Sequence, residues 1–426
     1  MKNPVFTFIF LFLLILPLKS NDYPNIAVVQ TDADHQMLMG VTEKAAAQIF
    51  YTMYPDNFDF LIFYTTFTPT LNMQQGLPIQ YTIEGIGREG AVNPYGPASA
   101  WGSGGKLIGG AKMCHIDKYP DNPDDTMAFP LAGLSSVELL AHEMGHYWHA
   151  AMNFKKEGMS EDHTGLRGFE SDSANQHWSG DFMSGPSVMY GADITDNGDG
   201  SFTYTPGNPK KFGPLDQYSM GLIPPEEVGE LFFLCGSADI NQCKEGNPQL
   251  PTPKKSEPWT RSDVVKHVVT IEDIIRAMGE RKPSSAQSPK HFKIGFIMVN
   301  KPGFLPFPQQ LEKLDKIRKR YQEWFNWATD GKATICTELD GDCTNEEEPD
   351  DETAVDENTP LVDETVEIPD ETTETPDESK DEEIQDDAEK TDDKETVKDD
   401  ISETTDDPKE DLIDDESVGC GCTVVF

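Results

Sequence analysis

The most informative segment of the chain is Ser135-Ser-Val-Glu-Leu-Leu-Ala-His-Glu-Met-Gly-His146. Ser135 or Ser136 is a suitable helix N-cap, and Glu138 follows in the first turn. Apolar residues recur along the segment at helical spacing. We therefore predict an α-helix over residues 134–154.

Two histidines of this helix, His142 and His146, lie four positions apart, so both imidazoles project from the same face. Two neutral imidazoles at this spacing can bind Zn²⁺ at about 2.0–2.1 Å. Glu143 is too close in sequence to share the metal comfortably. It is well placed instead as a general base that takes a proton from a water molecule acidified by zinc.

A catalytic zinc site needs a third protein ligand. We predict His177, in Gln176-His-Trp-Ser179, and keep Asp216 as the alternative; either residue could instead be a hydrogen-bonded loop residue that braces the site. His149 follows His146 by three positions and is expected to pack on another side of the helix. His163 lies in a polar turn and is expected to be exposed.

The first 337 residues combine predicted strands and helices, which indicates an α+β domain with a mixed sheet before the metal-binding helix. The predicted strands are 25–30, 58–65, 80–84, 106–114 and 291–299, and the predicted helices are 41–54, 215–222 and 308–329. Residues 260–278 fit a strand followed by a helix. Residues 155–212 are rich in Gly, Ser and Asp with little periodicity, which favours a loop; that length is unusual in a compact domain, and such stretches are usually either functional or wrongly assigned.

Both ends of the chain differ from this domain. Residues 1–20 combine Lys2, an apolar run and a small residue at Ser20, which predicts a signal peptide; an uncleaved anchor is the alternative. From Glu338 onward the chain carries 38 of its 76 acidic residues against 5 lysines. We therefore predict a domain over 21–343 and a disordered acidic Thr/Pro linker over 344–417. Neither part has a basic stripe, so nucleic acid is not expected as a partner.

The sequence has seven cysteines. In an exported protein, Cys235 with Cys243 and Cys336 with Cys343 are close enough in sequence to form local disulfides. Cys114 is then expected to be a buried thiol. Cys420 and Cys422 belong to the C-terminal segment.

The helix segment resembles that of zincin metallopeptidases, and Ser187-Val-Met-Tyr190 is similar to the Met-turn of the metzincin branch. The usual extension of that branch is not kept, because His149 and Met152 stand where its Gly and third His would be, so the third ligand is displaced downstream. Residues 212–228, with His177-Trp-Ser179, also resemble uncharacterised exported myxobacterial proteins that carry the same helix motif. Asp216, followed by Tyr218, is similar to the Asp ligand of aspzincins.

Residues 418–426 contain Gly419-Cys-Gly-Cys422, which resembles the Gly-Cys portion of a C-terminal sorting signal of myxobacterial surface proteins. The resemblance implies that the acidic linker is a stalk for surface attachment; a free disordered tail is the alternative. The expected location is secreted or on the cell surface, in a Gram-negative bacterium.

Together these features predict an exported zinc metallopeptidase that hydrolyses peptide bonds in proteins or peptides, with Glu143 as base. Tyr190 or Tyr218 could donate a hydrogen bond to the developing oxyanion, but packing is the favoured role for either one singly. One alternative is an inactive binding or adhesion module on a zincin fold. Another is a calcium-stabilised structural surface protein. Calcium is an open possibility at residues 193–200, whose oxygen-rich sequence fits a hairpin turn equally well, and at the aspartates of 117–125.

Overall fold

The structure is a computed structural model that describes residues 23–33, 40–89, 93–127, 133–168, 176–205, 210–243, 258–341 and 343. The described part is a mixed α+β fold, as predicted. The predicted signal peptide (1–20), the acidic linker (344–417) and the Gly-Cys segment (418–426) lie outside the described residues. Among the described residues, no helix has the length and apolar character needed to cross a bilayer.

The elements follow one another along the chain in this order: β1 (Ile26–Gln30), α1 (Val41–Phe50), β2 (Phe60–Thr65), β3 (Gln75–Pro78), β4 (Gly109–His115), α2 (Ser136–Gly145), β5 (Trp178–Met183), β6 (Tyr190–Asp196), β7 (Phe202–Thr205), α3 (Pro214–Met220), β8 (Leu231–Cys235), β9 (Trp259–Arg261), β10 (Val265–Val269), α4 (Ile271–Met278), β11 (His291–Asn300), α5 (Pro308–Ala328) and β12 (Thr334–Cys336).

The first sheet has the strand order β1-β11-β2-β4-β3, and β12 also pairs with β11. All pairs are parallel except β3 with β4, which is antiparallel. Its central strands are nearly continuous apolar runs, as expected for a parallel sheet covered on both faces. Leu61 and Phe63 pack in the same core as α1, whereas Phe60 and Ile62 share a core with α2 and α5. Helix α2 therefore lies against the sheet beside the β3 edge.

Helix α2 begins as predicted, because the Ser135 side chain accepts a hydrogen bond from the Glu138 amide at 3.4 Å and Glu138 Oε2 accepts one from the Ser135 amide at 2.8 Å. This is a capping box. The predicted end of the helix at 154 was wrong: α2 ends at Gly145, and Ala150 has a left-handed backbone (φ 57°). The rings of Tyr147 and Trp148 instead pack on Phe60.

A second six-stranded sheet has the order β10-β8-β5-β6-β7-β9. It contains β5, β6 and β7, so the prediction that residues 155–212 form a loop was wrong. These strands are short, and the pairing of β5 with β6 is irregular. Their stability comes from packing between strands distant in sequence, including Ile194, Phe202 and Phe232 in one apolar cluster. Such strands leave little periodic pattern.

The predicted strand at residues 80–84 was also wrong, since that stretch contributes only the bridge between Glu84 and Lys282. The strand next to β4 is β3, whose sequence Gln-Gly-Leu-Pro contains two residues that are unfavourable in strands. The other predicted elements are confirmed within a few residues. Both predicted disulfides are present, and Cys114 is a buried free thiol.

Candidate metal centre

Three histidines converge at the C-terminal end of α2. His142 and His146 come from the helix and its C-cap, and His177 immediately precedes β5. Their side chains are buried, and one ring nitrogen from each lies within 4.8 Å of the others. The ring centroids are 4.9–5.0 Å apart. The structure thus brings together the two predicted helix ligands and the preferred third one, in a group that can hold a metal ion.

The orientation of His142 is fixed by the turn before β6. Its Nδ1 donates a hydrogen bond to the carbonyl oxygen of Val188 at 2.8 Å, which places the lone pair of the neutral ring on Nε2. That Nε2 lies 3.1 Å from Nε2 of His177. Two nitrogens bound to one tetrahedral zinc ion at about 2.0–2.1 Å would be roughly 3.3 Å apart. The observed spacing therefore fits two ligands of one ion.

The second histidine that α2 contributes to the cluster, His146, is held in its neutral form. Burial, and then the neighbouring imidazoles of His142 and His177, keep the pKa of His146 well below its usual value. Its Nδ1 has no hydrogen-bond partner among the described residues. Neutral imidazole is the form that binds metals.

Glu143 lies between the two helix histidines in sequence and is 1% exposed. Its carboxylate accepts a hydrogen bond from the Gly76 amide, yet burial raises the pKa of Glu143 to about 8. Its Oε2 has no hydrogen-bond partner in the described part of the chain. A buried carboxylate oxygen without a partner is costly and calls for an explanation, such as a catalytic role or an unseen ligand.

Two glycines permit close packing around α2. A Cβ on Gly76 of β3 would lie 2.4 Å from the backbone oxygen of Glu143, so a side chain there would push the strand off the helix. A Cβ on Gly145 would lie 2.7 Å from Sδ of the buried Met189. The close neighbour of Gly145 is therefore a side chain from the segment resembling a Met-turn.

Tyr190 is the most exposed residue beside the histidines. Its ring centroid lies 5.1 Å from that of His142 and 4.7 Å from that of His177, and its side chain is 42% exposed. Its backbone is left-handed (φ 69°), which is unfavourable for a bulky residue and is often found at functional sites. Tyr218, the other predicted donor, is buried.

Asp216, the alternative third ligand, is not part of the metal-binding group. Its carboxylate accepts hydrogen bonds from the Trp178 indole at 2.7 Å, the Ser187 hydroxyl at 2.6 Å and the Gly213 amide at 2.9 Å. Burial nevertheless raises the pKa of Asp216 to about 6. Because Trp178 follows His177 and Ser187 precedes Val188, Asp216 ties together the two segments that present His177 and orient His142. We call Asp216 and these three donors the aspartate bracket.

The other two histidines considered from the sequence, His149 and His163, are not part of the metal-binding group. His149 is fully buried with Nδ1 2.6 Å from the Ser219 hydroxyl, which agrees with the packing role predicted for it. His163 is half-buried, with Nε2 2.9 Å from the carbonyl oxygen of Ile240.

The calcium candidates are held by protein groups. Asp196 and Asp199 accept hydrogen bonds from Gly198 and Ser201 in the β6–β7 hairpin turn, while Asp121 and Asp124 pair with Lys313 and Arg320. These contacts fit the hairpin alternative for residues 193–200. Calcium binding stays a prediction.

Sequence reasoning missed two contributors, the Gly76 amide and the Val188 carbonyl. Both act through the backbone, so their residue types carry little signal. The Met-turn resemblance drew attention to Val188 but not to its carbonyl. No family model matches the chain, and neither a curated protein nor a solved structure was found to match it.

Proposed function

We propose that the chain is an exported zinc-dependent metallopeptidase with a zincin-like domain. His142, His146 and His177 would hold the zinc ion, and Glu143 would act as general base. The observation that carries the proposal is the convergence of three buried imidazole nitrogens, together with a buried Glu143 carboxylate oxygen, next in sequence to His142, that has no partner among the described residues.

The donor set favours zinc over calcium or magnesium. Imidazole nitrogen suits zinc and other late transition metals, whereas calcium and magnesium prefer oxygen ligands. Structural zinc sites usually have four protein ligands, and catalytic sites usually have three with one open position. The group of three histidines therefore supports a catalytic rather than a structural role.

A zinc ion held there would supply a Lewis acid that polarises a peptide carbonyl and acidifies water. Glu143, adjacent in sequence to His142, would take a proton from the attacking water and deliver it to the leaving amine. Tyr190, whose ring lies beside His142 and His177, is the better placed of the two tyrosines to donate a hydrogen bond to the developing oxyanion.

The zincin-like assignment, with a displaced third ligand, is supported by the helix motif and by Met189 beneath Gly145. We propose a protein or peptide substrate and a secreted or surface location. The proposed location rests on residues 1–20 and on the Gly-Cys segment, whereas the proposed reaction rests on the three-histidine site and Glu143. The two proposals are therefore independent.

The test is metal analysis of the purified chain and of three variants, combined with an assay on denatured protein and peptide mixtures. We expect one equivalent of zinc in the parent and in Asp216→Ala, and loss of zinc in His177→Ala. Glu143→Ala should keep zinc and lose hydrolysis. A parent protein without metal, or a Glu143→Ala variant as active as the parent, would overturn the proposal. One equivalent of zinc with no cleavage of any substrate would favour the inactive binding module.

A further inference from the structure

A second group of metal-ligating side chains lies in the second sheet, at Cys235, Cys243 and His267. One ligand atom from each residue lies within 4.8 Å of the others. The two sulfurs form a disulfide. We call this group the Cys-His cluster. It is separate from the three-histidine site and shares no residue with it.

The sheet places the imidazole against the sulfurs. His267 of β10 pairs with Phe233 of β8, and Val265 pairs with Cys235, so His267 and Cys235 are diagonal neighbours on one face of the antiparallel pair. The loop after β8 brings Cys243 back beside Cys235 and His267. His267 Nε2 lies 3.4 Å from Cys243 Sγ.

The surroundings hold the imidazole in position. Its ring stacks on Phe233 with centroids 5.2 Å apart, and its Nε2 donates a hydrogen bond to the Ser237 carbonyl oxygen at 2.8 Å. His267 and Cys243 are both buried. A nitrogen and a sulfur bound to one tetrahedral zinc ion would be roughly 3.5 Å apart, from bond lengths of about 2.0–2.1 and 2.3 Å. The observed 3.4 Å matches this spacing.

We propose that the Cys-His cluster is a redox-gated site for a soft divalent cation of the zinc type. A dithiol reductant transfers two electrons and two protons to the disulfide and is itself oxidised to a disulfide, leaving two thiols on the protein. Each thiol then releases a proton as it binds the cation. His267 shifts its remaining ring proton to Nδ1, gives up the hydrogen bond to Ser237 and supplies Nε2 as the third ligand. The oxidised and metal-bound states exclude each other, because the same two sulfur atoms form either the disulfide bond or the bonds to the cation.

Thiolate and imidazole are the ligands that zinc and related metals prefer. This inference does not rest on the proposed peptidase activity. It can hold if the three-histidine site binds nothing, and it can fail while that site is fully active.

The test uses Co²⁺ as a spectroscopic probe in the full chain, in which Cys336, Cys343, Cys420 and Cys422 are all changed to Ser, because reduction would also free the thiols of the Cys336–Cys343 disulfide. We expect a thiolate-to-cobalt charge-transfer band after reduction with a phosphine and no such band in the oxidised protein. The three-histidine site has no sulfur ligand, so cobalt bound there does not contribute to this band.

Two variants test whether the charge-transfer band comes from the Cys-His cluster. Cys243→Ser should abolish it, and His267→Gln, which keeps a hydrogen-bond donor near Ser237, should weaken Co²⁺ binding at least about tenfold, because even changes outside the first ligand shell cost that much. Far-UV circular dichroism identifies any variant that fails to fold. The proposal is overturned if the reduced parent shows no band, if the band survives Cys243→Ser, or if folded His267→Gln binds Co²⁺ as tightly as the parent.

Discussion

The three-histidine site and the aspartate bracket are both buried polar groups, and both include residues at or next to the ends of the segment from His177 to Val188. In the bracket, three protein donors fill the carboxylate of Asp216. At the three-histidine site, Nδ1 of His146 and Oε2 of Glu143 have no protein partner among the described residues. A buried polar group that the protein satisfies fits a structural role, whereas one without a partner calls for an explanation such as a catalytic role, an ordered water or a bound ion.

The largest expected effect separates the two regions by chemistry. Glu143→Gln should lower kcat by roughly 10²–10⁴-fold, the usual contribution of a general base, while one zinc ion stays bound. The measurement is kcat alongside zinc content. The matched change in the bracket is Asp216→Asn. The folded fraction of this variant should show a smaller loss of kcat than Glu143→Gln. Equal losses of kcat in the two folded variants would contradict the distinction between site and scaffold.

The next effect separates them by stability. Asp216→Ala leaves three buried donors without an acceptor, at about 1–3 kcal/mol each, so a loss of at least about 3 kcal/mol in the free energy of unfolding is expected. Urea unfolding of the metal-free protein measures it. The control Ser187→Ala removes one hydrogen bond to the carboxylate and the acceptor of the Met189 amide, so it should cost about 1–3 kcal/mol, less than Asp216→Ala. If Asp216→Ala unfolds like the parent but no longer binds zinc, Asp216 is a ligand after all.

A third effect concerns the packing beneath the metal site. Gly145→Ala forces a methyl group against Met189 and should cost about 1–3 kcal/mol, as overpacking of a core usually does. Met189→Ala makes room for that methyl group, so the double variant should lose less than the sum of the single variants. Strict additivity in a double-mutant cycle would show that the two residues do not press on each other.

The smallest expected effect is a difference in the sign of pH dependence. The pKa values of His146 and His149 are lowered by burial, so in metal-free protein their contribution to stability is present above about pH 6.5 and is lost as the pH falls. The pKa of Asp216 is raised from 3.8 to about 6, so its contribution is present below about pH 4 and is lost as the pH rises through 6.

Urea unfolding between pH 4 and 8 distinguishes the two contributions. Asp216→Asn removes a carboxyl that favours folding in acid, so the variant should lose stability more steeply than the parent as the pH falls. His149→Gln should lose it less steeply. Identical slopes in the parent and both variants would show that neither region titrates as described.

The parts of the site that could be predicted from sequence are those set by local structure. The Ser135 cap and the spacing of His142 and His146 depend on a few consecutive residues, and they were predicted correctly. His177 was preferred over Asp216, and the structure places His177 in the group. The end of α2, β3 and the second sheet depend on contacts between distant segments, such as Tyr147 with Phe60 or Gly76 with Glu143. These contacts override local preference, so the sequence alone could not predict them.

Strand β11, which pairs with β1, β2 and β12 in the first sheet, comes late in the chain. It separates β1 from β2, and neither of these pairs with the other. A growing polypeptide must therefore reach Asn300 before its first 115 residues can complete their sheet, and loop closure over such a distance is slow. Shorter nascent chains keep β1 and β2 unpaired on the sides that β11 later occupies. The order of strands thus delays assembly of the first sheet until nearly the whole domain has been synthesised.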